Sequence, residues 1–72
     1  MKNINKEVGF RIRKIREEKG LTQVQLSKLA GLHRAYIGHI ERGEKNIGLK
    51  NLQKIANALS VSVRVLLDVP NP

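Results

Sequence analysis

A chain of 72 residues has room for one small domain, and it carries no cysteine, which excludes disulfide scaffolds, zinc ribbons and thiol nucleophiles. Fourteen Lys and Arg against six Asp and Glu give a net charge of +8, a surplus that favours a polyanionic partner, nucleic acid first. The longest apolar runs, Ala35–Ile37 and Val65–Leu67, are three residues each, far below the roughly 20 of a membrane span; with no apolar signal core at the N-terminus, a cytoplasmic protein is expected.

Residues 1–6 are polar and read as a flexible N-terminal arm, followed by one domain over 7–68. Helix 1 is expected from about Lys6 to Lys19. Val8, Ile12 and Ile15 mark its buried face by their spacing. Glu7–Arg11, Arg13–Glu17 and Lys14–Glu18 are i,i+4 pairs for its solvated flanks. Arg16 falls about 40° from Ile12 on the wheel, inside the apolar stripe, where a charge requires a partner. Gly20 is a helix stop.

Helix 2 starts at Thr22, whose spacing to Gln25 fits a capping box. Leu26, Leu29 and Ala30 are expected as its buried face. It ends at Gly31, and helix 3 follows almost at once, from about His33 to Arg42. Two short helices joined through Ala30-Gly31-Leu32 have helix-turn-helix spacing.

On the wheel of helix 3, Ile37 and Ile40 point to the core. The opposite arc holds Arg34, Ala35, Gly38, His39 and Arg42, with Tyr36 and Glu41 at its boundaries. An ordinary solvated face mixes Lys with Glu; this arc pairs two arginines and a histidine with the two smallest residues and has no acid. Small residues let a helix axis approach another surface. Arginine can donate two parallel bonds to guanine, and alanine can pack on a thymine methyl. Arg16 and Glu41 both sit beside the core, and we expect an ion pair between them that holds helix 1 to helix 3.

Helix 4 is expected from about Leu49 to Leu59, with Leu49, Leu52, Ile55, Ala56 and Leu59 as its stripe. A fifth helix is expected over about Val63–Leu67, where Val61, Val63 and Val65 also suit a short strand. The expected fold class is all-α, a compact five-helix domain. Residues 1–50 carry a net charge of +7 and residues 51–72 only +1, which separates a polyanion-facing front from an apolar tail. Val63, Val65, Leu67 and Val69 are candidates for a dimer interface; closing the core under helix 1 is the competing use of these side chains.

The motifs Gly20-Leu21-Thr22-Gln23, Gln25-Leu26-Ser27, Ala30-Gly31-Leu32, Tyr36-Ile37, Ile40-Glu41-Arg42-Gly43 and Ile55-Ala56-Asn57-Ala58-Leu59 together resemble the phage-repressor/Cro-type helix-turn-helix family, over about residues 7–67. His33-Arg34-x-Tyr36-Ile37 and Asn46-Ile47-Gly48-Leu49-x-Asn51 look most like the controller proteins of bacterial restriction-modification systems. The resemblance implies a lambda-repressor-like DNA-binding domain, a homodimer on an inverted-repeat operator in double-stranded DNA, and transcription regulation, with RNA polymerase as a further contact. Carried over by residue, Gln23 would contact phosphate and brace helix 3. Arg34 would read bases beside Ala35 and His39, with His33 at the same end of the helix. Tyr36 would touch backbone or a thymine, and Lys45, Asn46 and Arg42 would hold phosphate. Arg16 and Glu41 match the family's inter-helix ion pair. The sequence departs from the family at Gly38, often serine, at Ser27, often alanine, at Ser60, usually glycine, and at Ile47, often proline; the last is expected to loosen its loop.

Other functions compete less well. A small phage repressor, or an antitoxin-like protein-interaction module of the same fold, remains open. An enzyme is not expected, and no metal or cofactor is implied. His33 and His39 are about 120° apart on the wheel, poor for a shared metal, and no nucleophile or acid–base group is assembled. The glycines are read as helix ends, or as Gly38 within helix 3, so there is no glycine-rich phosphate loop.

Overall fold

The computed structural model describes residues 3–68 and is built of five helices: α1 (Ile4–Glu18), α2 (Gln23–Ala30), α3 (Arg34–Glu41), α4 (Leu49–Leu59) and α5 (Val63–Leu67). α1 packs on α3 and α5, α2 on α3 and α4, and α4 on α5. Every helix contributes to one core: Val8 and Ile12, Leu26 and Ala30, Ile37 and Ile40, Leu52, Ile55, Ala56 and Leu59, and Leu66. The fifth element is a helix and not a strand; its Leu66 is fully buried and closes the core, while Val63 is half-buried and Val65 and Leu67 stay exposed. Val69 lies outside the described residues. No described helix is long and apolar enough to cross a membrane.

Local chemistry accounts for the boundaries. The capping box forms: Thr22 Oγ1 accepts the Gln25 N–H at 3.0 Å, and Gln25 Oε1 accepts the Thr22 N–H at 2.8 Å. Gly31 ends α2 in the left-handed region at φ 69°. His33 then caps α3, its Nδ1 accepting the Ala35 N–H at 3.0 Å, so the sharp turn between the two helices is fixed from both sides.

Several expectations are corrected. α1 begins at Ile4, because Asn3 Oδ1 accepts the N–H groups of Asn5 (2.9 Å) and Lys6 (3.3 Å); residues 4–6 of the expected arm are therefore helix, and Met1 and Lys2 lie outside the described residues. Of the three i,i+4 pairs on α1, Arg13–Glu17 forms, at 3.3 Å. Leu29 is exposed and Ser27 takes its place inside. The inward direction of α2 is set by Leu26, Ala30 and Ser27, which puts Leu29 about 100° off axis; the Ser27 hydroxyl is satisfied by donating to the Val24 carbonyl at 2.7 Å. Leu49 is 81% exposed, and the buried stripe of α4 begins at Leu52. Ile47 packs against the core and anchors its loop.

Gly9, unlike the other glycines, sits in the middle of a helix and against a backbone. A Cβ there would overlap the Ile40 carbonyl oxygen and lie 2.8 Å from that of Glu41. α1 and α3 thus meet backbone to backbone, which brings the Arg16 and Glu41 side chains within reach.

Candidate nucleic-acid interface

Arg16 and Glu41 join where α1 crosses α3. Arg16 Nε donates to Glu41 Oε2 at 2.6 Å and its Nη2 to Oε1 at 3.0 Å, a bidentate pair with side chains only 9% and 2% exposed. A third donor, Nη1, reaches the Leu21 carbonyl at 2.7 Å. The hydrogen bonds to Glu41 hold the Arg16 guanidinium above its ordinary pKa, against the opposing pull of burial. Gln23 completes the cluster: its Nε2 donates to Glu41 Oε1 at 3.1 Å. One carboxylate therefore ties the end of α1 and the first residue of α2 to the end of α3, and no buried side-chain polar atom among the described residues lacks a partner.

This brace places Gln23 at the edge of a groove of about 360 Å³ on the outer side of α3, bounded by Gln23, Val24, Arg34, Ala35, Gly38, His39 and Arg42. Five of the residues singled out from the sequence, Gln23, Arg34, Ala35, His39 and Arg42, come together here. Arg34 and Ala35 are exposed at the N-terminal end of α3. Gly38 faces this groove as expected, but it is buried and not open. The Arg42 and Gln23 side chains cover it: a Cβ at 38 would meet Arg42 Nη1 at 3.1 Å and Gln23 Oε1 at 3.7 Å. Its small size gives the Arg42 guanidinium room to lie along the helix. Beside the groove, the Thr22 cap takes the Gln25 N–H, and the Gln23 and Val24 amides remain first-turn donors without an intrahelical acceptor.

The other expected residues lie around this groove. His33 acts as the α3 cap through Nδ1, so a neutral ring carries its proton on Nε2. Tyr36 is half-buried, and its hydroxyl oxygen accepts from Asn51 Nδ2 of α4 at 3.0 Å; the phenolic proton is left to donate elsewhere. Lys45 and Asn46 are exposed in the loop after α3, where Asn46 Oδ1 accepts from Asn5 Nδ2 of α1 at 2.6 Å.

Two contributors were not visible as such in the sequence. Asn51 supports Tyr36 from a different helix. Glu44 brings an acid to the face that the wheel of helix 3 shows as free of acids: its carboxylate meets His39 Nδ1 at 2.8 Å and Arg42 Nε at 3.1 Å. Those bonds, Arg42's first and His39's second, hold the Glu44 carboxyl below its ordinary pKa. No cluster of three metal-ligating side chains occurs among the described residues.

Comparison with known proteins agrees with this architecture. The helix-turn-helix family (HTH_3) matches residues 12–66. The immunity repressor protein of Bacillus phage phi105 is 45% identical over 60 residues, 83% of this chain; the chain spans only 42% of that repressor's length. The control protein C.BamHI of Bacillus amyloliquefaciens is 43% identical over 67 residues, 92% of this chain and 83% of the relative. Among solved structures, the restriction-modification controller protein C.AhdI from Aeromonas hydrophila superposes with a TM-score of 0.85 at 44% identity, covering 86% of this chain and 94% of that one. With helix-turn-helix geometry, a braced α3 and a match over most of its length, the chain belongs to the helix-turn-helix family of DNA-binding transcription regulators.

Proposed function

We propose that this helix-turn-helix regulator binds a two-fold DNA operator as a homodimer, with α3 in the major groove, and that it controls a restriction-modification system. The observation that carries the reading is the outer face of α3. Arg34 and Ala35 stand exposed at its N-terminal end, and Arg34 enters none of the ion pairs among the described residues. Its fork is thus available for a guanine edge, a contact worth about 1–3 kcal/mol of discrimination. Ala35 suits a thymine methyl, and His39 lies one turn further along the same face. The Tyr36 hydroxyl, with Asn51 on its oxygen, is polarised to donate to a phosphate or a base acceptor. Gln23 with the first amides of α2, together with Arg42, Lys45 and Asn46, would hold the backbone and set the register.

The dimer would form through α5. Val65 and Leu67 are exposed beside a depression of about 550 Å³ bounded by Ser62, Arg64, Val65, Leu67 and Asp68, with Val63 half-buried below. Two copies would space their recognition helices by one DNA turn, about 34 Å. A phage-type repressor is the second reading, favoured by the 45% identity to the phi105 immunity repressor; it uses the same interface on DNA and differs in which genes the operator serves.

Selection from a random duplex library of about one 30-bp site per molecule, near 150 mM salt so that non-specific phosphate binding is weakened, tests the reading. The wild type is expected to enrich an inverted repeat, and Arg34→Ala to relax one base position in each half. Salt-sensitive binding with no enriched sequence would refute a specific operator.

A further inference from the structure

We propose that Arg42 and His39 form a phosphate site which, in the free protein, the Glu44 carboxylate occupies as an internal stand-in for phosphate. The inference rests on the DNA-binding reading above and assigns Glu44 the role of lowering affinity in a sequence-independent way.

The backbone brings Glu44 to this place. Past the end of α3, the Gly43 N–H donates to the Ile40 carbonyl at 3.0 Å and the Glu44 N–H to the His39 carbonyl at 2.9 Å, with Gly43 at φ +73°. This double closure folds the chain back over the last turn of α3. It delivers an anion to the C-terminal end of a helix, where the helix dipole repels it. The attraction that holds it must come from the side chains. Oε1 takes His39 Nδ1 at 2.8 Å, and Oε2 takes Arg42 Nε at 3.1 Å. Because an ionised carboxylate only accepts, His39 Nδ1 donates to Glu44, and Arg42 Nη2, 3.3 Å from the same nitrogen, is then a close approach held by the shared carboxylate and not a hydrogen bond. Two donors converging on one oxyanion from adjacent turns is the arrangement a phosphate requires.

Solvent exposure shows that the occupant is replaceable. The side chains of His39, Arg42 and Glu44 are 42%, 55% and 50% exposed, whereas those of Arg16 and Glu41 are nearly sealed. Exposed pairs of this kind are weak and easily exchanged. Arg42 and His39 also line the groove beside Arg34, so a duplex seated on α3 brings its backbone to the same donors. With Glu44 in place, Arg42 arrives already neutralised, and each docking event must first break its pair.

The test is Glu44→Gln, measured on the selected operator and on a random duplex across a salt series. Both affinities are expected to rise together, roughly two- to fivefold, and the slope of log K against log salt to steepen by about one phosphate's worth. The gain should vanish in an Arg42→Ala background. A gain that persists without Arg42 would mean only long-range repulsion between Glu44 and DNA, and would overturn the proposal. So would a loss of operator affinity in Glu44→Gln, which would make Glu44 an orienting group for base contacts. Titration with inorganic phosphate, read on the Arg42 Nε–H resonance, tests the site without DNA. Tighter phosphate binding by Glu44→Gln than by the wild type is expected; equal binding refutes the site. A phosphate gain with no duplex binding by either protein would leave the site standing and refute the operator reading alone.

Discussion

Replacing Glu41 by alanine leaves Arg16 with its Leu21 bond (2.7 Å), a distant Glu17 carboxylate at 3.9 Å and no bidentate partner. It also frees the Gln23 amide. Removing one partner of a buried ion pair costs about 3–5 kcal/mol, because a charge is left in a place that cannot solvate it. A cleft of about 240 Å³ bounded by Arg13, Arg16, Gln23, Glu41 and Arg42 opens beside the pair, so water can reach the orphaned guanidinium and the lower end, about 3 kcal/mol, applies. For a domain this small, total stability is about 4–11 kcal/mol, and the loss corresponds to a fall in Tm of about 12–24 °C. Urea and thermal unfolding followed by circular dichroism read it directly. The double replacement Arg16→Met with Glu41→Leu removes both charges and is expected to return to within about 1 kcal/mol of the wild type. It should nevertheless bind operator more weakly, because Gln23 has lost its brace while the helices have kept theirs. A fall below about 1 kcal/mol in Glu41→Ala would refute the account, since it would mean that the pair is hydrated and does not lock α1 to α3. A double replacement that binds operator as well as the wild type would refute the link from brace to interface.

Gly9→Ala forces a methyl group into the Ile40 carbonyl, and is expected to destabilise by about 3 kcal/mol or more by urea unfolding, although alanine ordinarily favours helix. Ser60 ends α4 at φ 58°; Ser60→Gly relieves that strain and should raise stability by about 0.5–1 kcal/mol, so an unchanged denaturation midpoint would count against the left-handed cap. Asn51→Leu should weaken operator binding roughly as much as Tyr36→Phe, with the double variant little worse than either, as groups in one hydrogen-bonded pair are not additive; full additivity would show that Asn51 does not act through Tyr36. Leu67→Asp lies on an exposed position and should leave the monomer's unfolding curve within about 0.5 kcal/mol, while sedimentation velocity shows the dimer lost; a dimer that survives would move the interface away from α5.

How much of this was legible in the sequence depended on whether the signal was local. The Thr22–Gln25 box, the Gly31 turn and the α4 boundaries follow from contacts within a few residues, and their spacing is sufficient. The Arg16–Glu41 pairing spans 25 residues, yet it too was readable, because each charge betrayed itself by lying beside an apolar stripe. Leu29 and Leu49 misled for the converse reason. A leucine on a wheel signals a preference for burial, but only the packed neighbours decide which directions are covered, and in five short helices much of each circumference is open. Gly9 gave no signal at all, since its constraint is the backbone of a helix thirty residues further on. Gly38 is misplaced and Glu44 overlooked for one reason. Treating α3 as an isolated cylinder makes Gly38 an open surface and ends the inventory of charges at Arg42. In the folded chain the side chains of Arg42 and Gln23 lie over Gly38, and the turn after the helix returns Glu44 to the same face. The interface is thus less basic in the free protein than its sequence implies, and the cations that remain uncommitted, Arg34 and Lys45, flank the one that is held. That distribution favours a division of labour in which Arg34, available from the outset, searches base edges, while Arg42 engages backbone only after a phosphate has taken the place of the carboxylate.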